Sequence, residues 1–269
     1  DPRQMQDLPL NGRNWIDLTM LAPGARQNTS GDTPMGGAGN FQLNIDGQEV
    51  TNNMVQSFGQ PKFSRDSIAE FEFVSNRFDA SQGRSMGVQI NAITKSGTNN
   101  PNGTFSGYFR DDRFIAKDFI QNRVLPYQDQ QLSVTFGGPI KKDRIHYFAN
   151  YEYEHNPVTY SHSSPWPSFN FDAKSNNTEK KGGARLDFQF TSQTRLTFRG
   201  NWARVHLPLD PRYSGGATRH PSTGIEVGRQ NANVTVNLTQ VLGSQTVNEL
   251  KGGYSGYSWY QDSVLRWAN

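Results

Sequence analysis

Hydrophobic and polar positions alternate with a period of two over most of the chain after residue 102. The stretch "LSVTF" places Leu132, Val134 and Phe136 on one face of an extended strand. The same alternation runs through "RIHYFANYEY", "ARLDFQF" and "NANVTVNLTQVL". This period is typical of antiparallel strands that have one apolar and one polar face. The pattern predicts seven strands, at about 103–110, 129–138, 144–155, 181–191, 194–206, 229–241 and 246–260.

The connections between the predicted strands alternate between long and short. Long connections are expected at 111–128, 156–180 and 207–228, and tight turns at 139–143, 192–193 and 242–245. Outer-membrane barrels have short periplasmic turns and long extracellular loops, whereas a soluble sandwich has no reason to keep every second connection short. We therefore predict antiparallel transmembrane β-barrel strands, with the long connections outside the cell.

Aromatic residues near the ends of the predicted strands fit the interfacial girdles of such a barrel. These residues are Tyr151, Tyr153, Trp202, Trp259 and Tyr260. The alternative interpretation is that they form the ordinary core of a soluble sandwich.

Residues 1–100 follow a different pattern, which predicts a small α/β unit. "NGRNWIDLTMLAPGA" carries apolar residues near helical spacing, and Pro23-Gly24 ends the predicted helix. Three short strands are predicted from "FQLNID" (41–46), "EFEFVS" (70–75) and "VQINAITK" (88–95). Asp46-Gly47, directly after the first of them, predicts a tight turn.

The composition excludes several classes of protein. The chain has 27 basic and 24 acidic residues, a balance too even to indicate a nucleic-acid partner. The absence of cysteine excludes a disulfide framework, a thiol nucleophile and a Cys-ligated zinc site. No apolar run approaches the roughly 20 residues that a transmembrane helix needs. Because the chain starts at Asp1 without a signal segment, we expect a mature product or a fragment.

"GRSMG", residues 83–87, matches the G-x-S-x-G pattern of serine hydrolases and makes Ser85 a candidate nucleophile. A nucleophile elbow joins a strand to a helix, but the residues that follow Ser85 are predicted to form a strand. We therefore interpret Ser85 as a turn residue and keep a serine hydrolase as the less favoured alternative. No catalytic residue, cofactor or metal site is predicted.

Three segments of the first hundred residues resemble the plug domain of TonB-dependent outer-membrane receptors. They are "LPLNGRNWIDLTMLAPGA", "NFQLNIDGQEV" and "SIAEFEFVSNRFDASQGRSMGVQINAITKSGTN". "GTFSGYFRDDRFIAKDF" and "GGPIKKDRIHYFANYE" resemble the first barrel strands of the Oar-like subgroup, whose members carry a carboxypeptidase-regulatory-like domain ahead of the plug. The resemblance implies a plug domain at 1–100, truncated at its N-terminus, and the first part of a barrel at 101–269. Because plugged barrels have about 22 strands, it also implies a fragment of a longer polypeptide.

The resemblance implies energised uptake of an unidentified substrate across the outer membrane. The expected partners are outer-membrane lipid, an extracellular ligand and the inner-membrane TonB complex, which would act through a segment upstream of this chain. The alternative is a surface-interaction or protein-export role on the same Oar-like architecture.

Two groups of candidate site residues follow from the resemblance. Residues on outward-facing loops are expected to bind the ligand: Met35, Gln56, Phe58, Gln60, Tyr160, Trp166 and Phe169. Charged plug residues are expected to contact the polar lumen of the barrel: Arg13, Arg65, Glu70, Glu72, Arg77 and Arg84.

Overall fold

A computed structural model describes most of the chain, as residues 15–21, 41–52, 60–75, 88–117, 119, 122–124, 127–162, 165–210 and 223–264. These residues form eleven strands, which belong to two separate sheets. They also form short 3₁₀ helices at Trp15–Leu21, Arg65–Ser67, Asp112–Phe114 and Pro167–Phe169. Within these described ranges, no helix is both long enough and apolar enough to span a membrane.

The first sheet, called the small sheet below, has four strands: β1 (Phe41–Ile45), β2 (Gln48–Glu49), β3 (Ile68–Ser75) and β4 (Val88–Thr94). Their order is β2-β1-β4-β3, and β1 runs parallel to β4 while the other pairs are antiparallel. The three predicted strands are therefore present, together with the short β2 that follows the turn at Asp46-Gly47. The predicted helix is a 3₁₀ helix.

The small sheet has its own hydrophobic core, built from the alternating residues of its strands. Leu43, Ile45 and Ile90 are buried on one face, where Trp15 of the first 3₁₀ helix packs at 5.4 Å from the Phe71 ring. The core cluster consists entirely of residues between 15 and 92. The small sheet therefore buries its apolar surface within itself.

The second sheet, called the large sheet, has seven strands in sequence order, each antiparallel to the next. They are β5 (Asn102–Asp111), β6 (Gln128–Lys141), β7 (Ile145–His162), β8 (Phe171–Thr191), β9 (Thr194–Asp210), β10 (Ile225–Leu242) and β11 (Thr246–Ser263). The predicted number of strands and their antiparallel pairing are confirmed. Within the described residues the sheet is open, with β5 and β11 at its edges.

The strands of the large sheet are longer than predicted on the side of the long connections. β7 and β8 stay paired out to His162 and Phe171, so most of the predicted loop 156–180 is a β-hairpin. The prediction failed there because both faces are polar beyond the apolar part of the sheet, which removes the alternation while the backbone ladder continues. The tight turns at 192–193 and 243–245 lie where they are predicted, and the first lies at 142–144, because β6 continues to Lys141.

The two faces of the large sheet are inverted relative to a water-soluble sandwich. Along β7, Glu152 is 2% exposed whereas its neighbour Tyr151 is 41% exposed. The face that carries Glu152, called the inner face, holds buried polar residues on five strands: Asp129, Gln131, Ser133, Thr135, Asn150, Glu154, Lys181, Asp187, Arg199, Asn201, Asn231, Asn233 and Thr235. The opposite outer face exposes large apolar residues, including Phe105, Val134, Phe136, Leu186, Phe198, Trp202, Val234 and Leu250. Apolar residues outside and polar residues inside are the arrangement of a membrane barrel.

The register corrects one part of the predicted aromatic girdle. Trp259 pairs with Arg229 and Arg229 with Val205, in the same row as Glu179 and Glu154. Trp259 therefore lies on the inner face, whereas the next residue, Tyr260, lies on the outer face.

Candidate functional site

The small sheet lies against the inner face of the large sheet, and two clusters of charged residues form the junction. The lysine cluster consists of Lys62, Glu152, Glu154, Glu179 and Lys181. The arginine cluster consists of Asp46, Arg185, Asp187, Arg195 and Arg199. Each cluster combines residues of the large sheet with one charged residue of the small-sheet region.

Lys181 is the centre of the lysine cluster. It faces Glu152 across the β7–β8 ladder, and its Nζ lies 2.8 Å from Glu152 Oε1. The same Nζ lies 3.0 Å from Glu179 Oε2 and 3.4 Å from Glu154 Oε2. On the large sheet alone, one buried cation therefore faces three carboxylates.

The segment that precedes β3 completes the lysine cluster. Lys62 Nζ lies 3.5 Å from Glu179 Oε1, and Ser64 Oγ donates a hydrogen bond of 2.6 Å to Glu152 Oε2. The backbone N of Lys62 also donates to Asn231 Oδ1 at 3.0 Å. The segment thus brings a second cation to the excess of negative charge.

The arginine cluster has the opposite imbalance. Arg185 and Arg199 are paired in the β8–β9 register, so two guanidinium groups stand side by side, an arrangement that is unfavourable by itself. Asp187 contacts Arg185 at 3.0 Å and Arg195 at 2.6 Å. On the large sheet alone, three guanidinium groups therefore share one carboxylate.

Asp46, in the turn between β1 and β2, supplies the missing anion. Its Oδ2 lies 3.2 Å from Arg199 Nε, and its Oδ1 lies 3.9 Å from Arg185 Nη1. The carboxylate is held in place because Thr94 donates to it from its backbone N at 2.9 Å and from Oγ1 at 2.7 Å. Asp46 and Gly47 both have positive φ, of 50° and 78°, which turns the carboxylate toward the large sheet.

Arg199 has further contacts with the small sheet. Its Nη2 donates to Gln48 Oε1 at 3.3 Å and to Thr235 Oγ1 at 3.1 Å, and Thr235 Oγ1 also donates to Gln48 Oε1. The side chain is only 4% exposed. A guanidinium group this well buried depends on its hydrogen-bond and charge partners.

The connecting segment at 95–101 joins the two sheets through close backbone contact. The backbone N of Lys95 donates to Ser67 O at 2.8 Å. Burial lowers the pKa of the Lys95 ammonium, and the Asp66 carboxylate acts against this shift. A Cβ at Gly97 would overlap the backbone carbonyl of Tyr147, so only glycine fits where the segment crosses β7.

Several of the predicted site residues lie outside the described residues: Met35, Gln56 and Phe58 of the ligand group, Arg13, Arg77 and Arg84 of the charged group, and the alternative nucleophile Ser85. Phe169 ends the last 3₁₀ helix, but its side chain is not described. Arg65 is buried in a 3₁₀ helix that lies against β6 and β7. Glu70 and Glu72 are exposed on β3.

Gln60, Tyr160 and Trp166 lie in different parts of the molecule. Gln60 is buried, its Oε1 accepts from Asn52 N at 2.8 Å, and its Nε2 donates to Asn52 O at 3.4 Å. The side chain therefore ties together the two ends of segment 53–59. Tyr160 lies near the far end of β7, and Trp166 is exposed in the connection to β8.

None of the residues of the two clusters is among the candidate site residues that the sequence indicates. Glu152, Lys181 and Arg199 lie within the predicted strands 144–155, 181–191 and 194–206, and Asp46 is predicted only as a turn residue. The available signal was the presence of full charges at positions that alternate with apolar residues. Such charges are expensive to bury unless they have partners, so they indicate a contact surface.

Two other kinds of site find no support in the described residues. In the described ranges, no three His, Asp or Glu side chains are grouped closely enough to hold a metal ion. The segment that follows Ser85 forms β4, a strand, instead of the helix that a nucleophile elbow requires.

Comparisons with known proteins agree with this architecture. The family model described as "Outer membrane beta barrel domain" matches residues 93–168 and 156–267. A search of the curated proteins found no match. Among solved structures, the siderophore receptor PirA from Pseudomonas aeruginosa matches with a TM-score of 0.67 at 14% identity, over 97% of this chain and 40% of that one. The outer membrane transporter YddB from Escherichia coli matches with a TM-score of 0.71 at 13% identity, over 97% and 38%. The siderophore receptor PirA from Acinetobacter baumannii matches with a TM-score of 0.64 at 16% identity, over 94% and 38%. The chain thus spans about 40% of the length of these structures, and at such identities the likeness shows the fold.

Proposed function

The chain belongs to the outer membrane beta barrel domain family, and from this premise we propose that it forms the plug and the first barrel strands of a TonB-dependent receptor. The protein is located in the outer membrane. In the proposal, residues 1–100 are the plug domain, residues 101–269 are the N-terminal part of the barrel, and the receptor is of the Oar-like type. The activity is energised uptake of a substrate through the barrel.

The observation that supports this proposal best is the complementary charge of the two sheets. The inner face has too many carboxylates around Lys181 and too many guanidinium groups around Asp187. Lys62 and Asp46 of the small-sheet region each bring the opposite charge. The inner face is therefore built to hold the small sheet.

A polar junction suits a plug that has to move. The apolar core of the small sheet is internal, so displacing the small sheet from the large one does not break that core. The polar contacts that break are hydrogen bonds and ion pairs, which entering water can replace. The inner face also buries the apolar residues Phe148, Ala203, Val205 and Val227. An apolar junction of the same size would resist displacement in proportion to its area.

The ligand site of the proposal lies on the side of the long connections. Phe58 supplies an apolar contact and Gln56 polar contacts, together with Met35 of the segment that precedes β1 in the chain. Tyr160, Trp166 and Phe169 close the site from the barrel side. Gln60 contributes by holding the ends of segment 53–59 through its contacts with Asn52.

The proposed partners follow from the same architecture. The outer face contacts membrane lipid, the plug is pulled by the inner-membrane TonB complex through a segment upstream of residue 1, and the ligand arrives from outside the cell. In the proposal, the extracellular ligand is held between the plug and the loops before the TonB complex pulls on the plug.

An uptake experiment tests the function. Cells that produce the protein in their outer membrane are grown with and without an intact TonB complex, and the spent medium is analysed by mass spectrometry. We expect at least one compound to be depleted only when both the protein and the TonB complex are present. Depletion that does not need TonB would refute energised uptake. A secreted protein that depends on this chain, without depletion, would support the export alternative instead.

A substitution tests the ligand site separately. Once a depleted compound is known, Phe58→Ala should weaken its binding by about 1–3 kcal/mol, the value of one buried side chain. Phe105→Ala, which makes the same change on the lipid-facing outer face, should leave the affinity unchanged. Equal affinities in all three proteins would rule out the site while leaving the transport proposal in place.

A further inference from the structure

A concavity on the outer face is unrelated to the junction of the two sheets. It has a volume of about 670 Å³ and lies where β8 to β11 leave the apolar part of the sheet. Its lining includes Lys180, Arg204, His206, Gln230, Ser258 and Tyr260.

The register places the concavity on the outer face. Tyr153 pairs with Lys180, Lys180 with Arg204, Arg204 with Gln230, and Gln230 with Ser258, so these residues form one row. The adjacent outer-face row, toward the tight turns, contains Tyr151, Trp202 and Ala232. A polar row thus follows directly on an aromatic and apolar row.

The depth of this row matches the edge of a membrane. From Leu196 to Arg204 on β9, the strand rises about 27 Å at about 3.4 Å per residue. With the strand tilt of about 35–45° found in barrels, this corresponds to about 20 Å along the membrane normal, close to the roughly 25 Å of a barrel's apolar band. The row therefore lies at the level of lipid head groups, on the side of the long connections.

Within the described ranges, the two cations of this row have no anionic partner. Lys180 and Arg204 stand opposite each other as like charges. Among the residues that the structure describes, no carboxylate lies within ion-pair distance of either one, and Arg204 Nη2 donates only to Gln230 Oε1, at 3.2 Å.

Glu226, an acidic residue on the rim, already has partners on the protein. Glu226 Oε1 lies 3.0 Å from His206 Nε2 and accepts a hydrogen bond from Tyr260 Oη at 3.1 Å. Among the described lining residues, the concavity therefore carries cations and no carboxylate.

Two glycines let aromatic rings lie close against the sheet near the concavity. A Cβ at Gly228, in the lining, would overlap the Tyr260 ring, and a Cβ at Gly182, in the adjacent row, would lie 2.8 Å from Trp202 Nε1. Because these glycines have no side chain, both rings can pack directly on the backbone. The Trp202 ring, 6.3 Å from the Tyr151 ring, then offers an apolar surface below the cations.

We infer that this concavity binds the phosphate group of an anionic lipid in the outer leaflet. Lys180 and Arg204 contact the phosphate, and Tyr151 and Trp202 contact the acyl chains beneath it. The inference needs the outer-membrane location and the orientation with the long connections outside, but it does not depend on the transport proposal.

Binding of a phosphorylated lipid to the purified protein tests the inference. The detergent-solubilised protein is titrated with lipopolysaccharide that carries its lipid A phosphates, with the same lipid after phosphatase treatment, and with inorganic phosphate alone. The variants are Lys180→Gln/Arg204→Gln and the charge-preserving Lys180→Arg. The matched control is Lys142→Gln/Arg144→Gln, which removes two exposed cations at the opposite end of the strands.

We expect the phosphorylated lipid to bind the wild type and Lys180→Arg equally, and the Lys180/Arg204 variant about 30-fold more weakly, the value of two surface cations near a lipid phosphate. The control should bind like the wild type. Unchanged binding in the Lys180/Arg204 variant, or an equal loss in the control, would overturn the assignment. Equal binding of the phosphatase-treated lipid would show that the lipid is held by apolar contacts alone and would overturn the phosphate assignment. Tight binding of inorganic phosphate would make it a site for free phosphate.

Discussion

Removing the charge of Asp46 should loosen the small sheet from the large sheet. Asp46→Asn is well suited to test this, because asparagine also tolerates the positive φ of 50° at this position and keeps an oxygen for Thr94. The substitution removes one negative charge at 3.2 Å from Arg199 and 3.9 Å from Arg185. Arg199, 4% exposed, then lacks its only carboxylate partner among the described residues.

The size of the effect can be worked out from these distances. At an effective dielectric constant of about 20, a charge pair at 3.2 Å has an attraction of about 5 kcal/mol before desolvation is subtracted. Desolvation of the two groups removes part of this value. We expect Asp46→Asn to lower the free energy of docking by about 2–3 kcal/mol, which corresponds to about 30–150-fold more of the undocked form.

A single cysteine provides the assay, because the chain has no cysteine of its own. Ala203 is 2% exposed on the inner face and lies between Lys181 and Asn231, in the row that segment 62–64 crosses. In the membrane-embedded protein with Ala203→Cys, the rate of thiol labelling then reports the undocked fraction. Asp46→Asn should raise this rate by the factor given above.

Asp143→Asn is the matched control. Asp143 also has a positive φ, 61°, but it is exposed in a tight turn and contacts Asn99 instead of a cation. Its substitution should change the labelling rate less than about threefold, in line with the small value of surface charges. If Asp46→Asn and Asp143→Asn gave the same labelling rate, the reasoning about the arginine cluster would be refuted. In a double-mutant cycle, Asp46→Asn and Arg199→Met should also be non-additive by about 1 kcal/mol or more.

Three further outcomes are expected. Gly97→Ala should displace the connecting segment and reduce the amount of folded protein in the membrane, as measured by heat-dependent mobility on gels. Gly200→Ala, where a Cβ meets nothing within 4 Å, should not reduce it. Equal yields of the two variants would contradict the close packing at Gly97. Lys181→Met leaves three carboxylates together and should destabilise the folded protein by about 3–5 kcal/mol in urea titrations, and a loss below about 1 kcal/mol would show that the cluster is hydrated. An epitope tag in the connection 163–170 should be accessible to antibodies on intact cells and one in the turn 192–193 should not, and the reverse pattern would invert the proposed topology.

The alternation of residues predicted the number of strands in the large sheet and their antiparallel arrangement correctly. It failed at the strand ends, as in β7 and β8, because beyond the apolar band neither face has to be apolar and the pattern carries no information there. The sequence pattern also predicts Trp259 as part of the aromatic girdle. The position near a strand end does not show which face a residue lies on unless the pairing register is known. Tyr260, one residue further, is the one on the outer face.

The charged contacts between the sheets were less predictable. Arg65, Glu70 and Glu72 are expected lumen contacts because they are charged residues of the plug that the resemblance implies, and the structure buries the first and exposes the other two. The charged contacts that the structure does show depend on Lys62 and Asp46. No periodicity distinguishes these two residues from the other charged residues of the first hundred.

The sequence by itself determined the kind of surface that each strand presents, because the pleat of an extended chain sends alternate side chains to opposite faces. It therefore determined that an apolar outer face and a polar inner face would exist. Only the tertiary structure decided which charges meet: Lys181 faces Glu152 through the β7–β8 register, and Asp46 reaches Arg199 through the docking of one sheet on another. Register and docking depend on the summed contacts of whole strands, so a residue's partner is set by elements far from it in the chain.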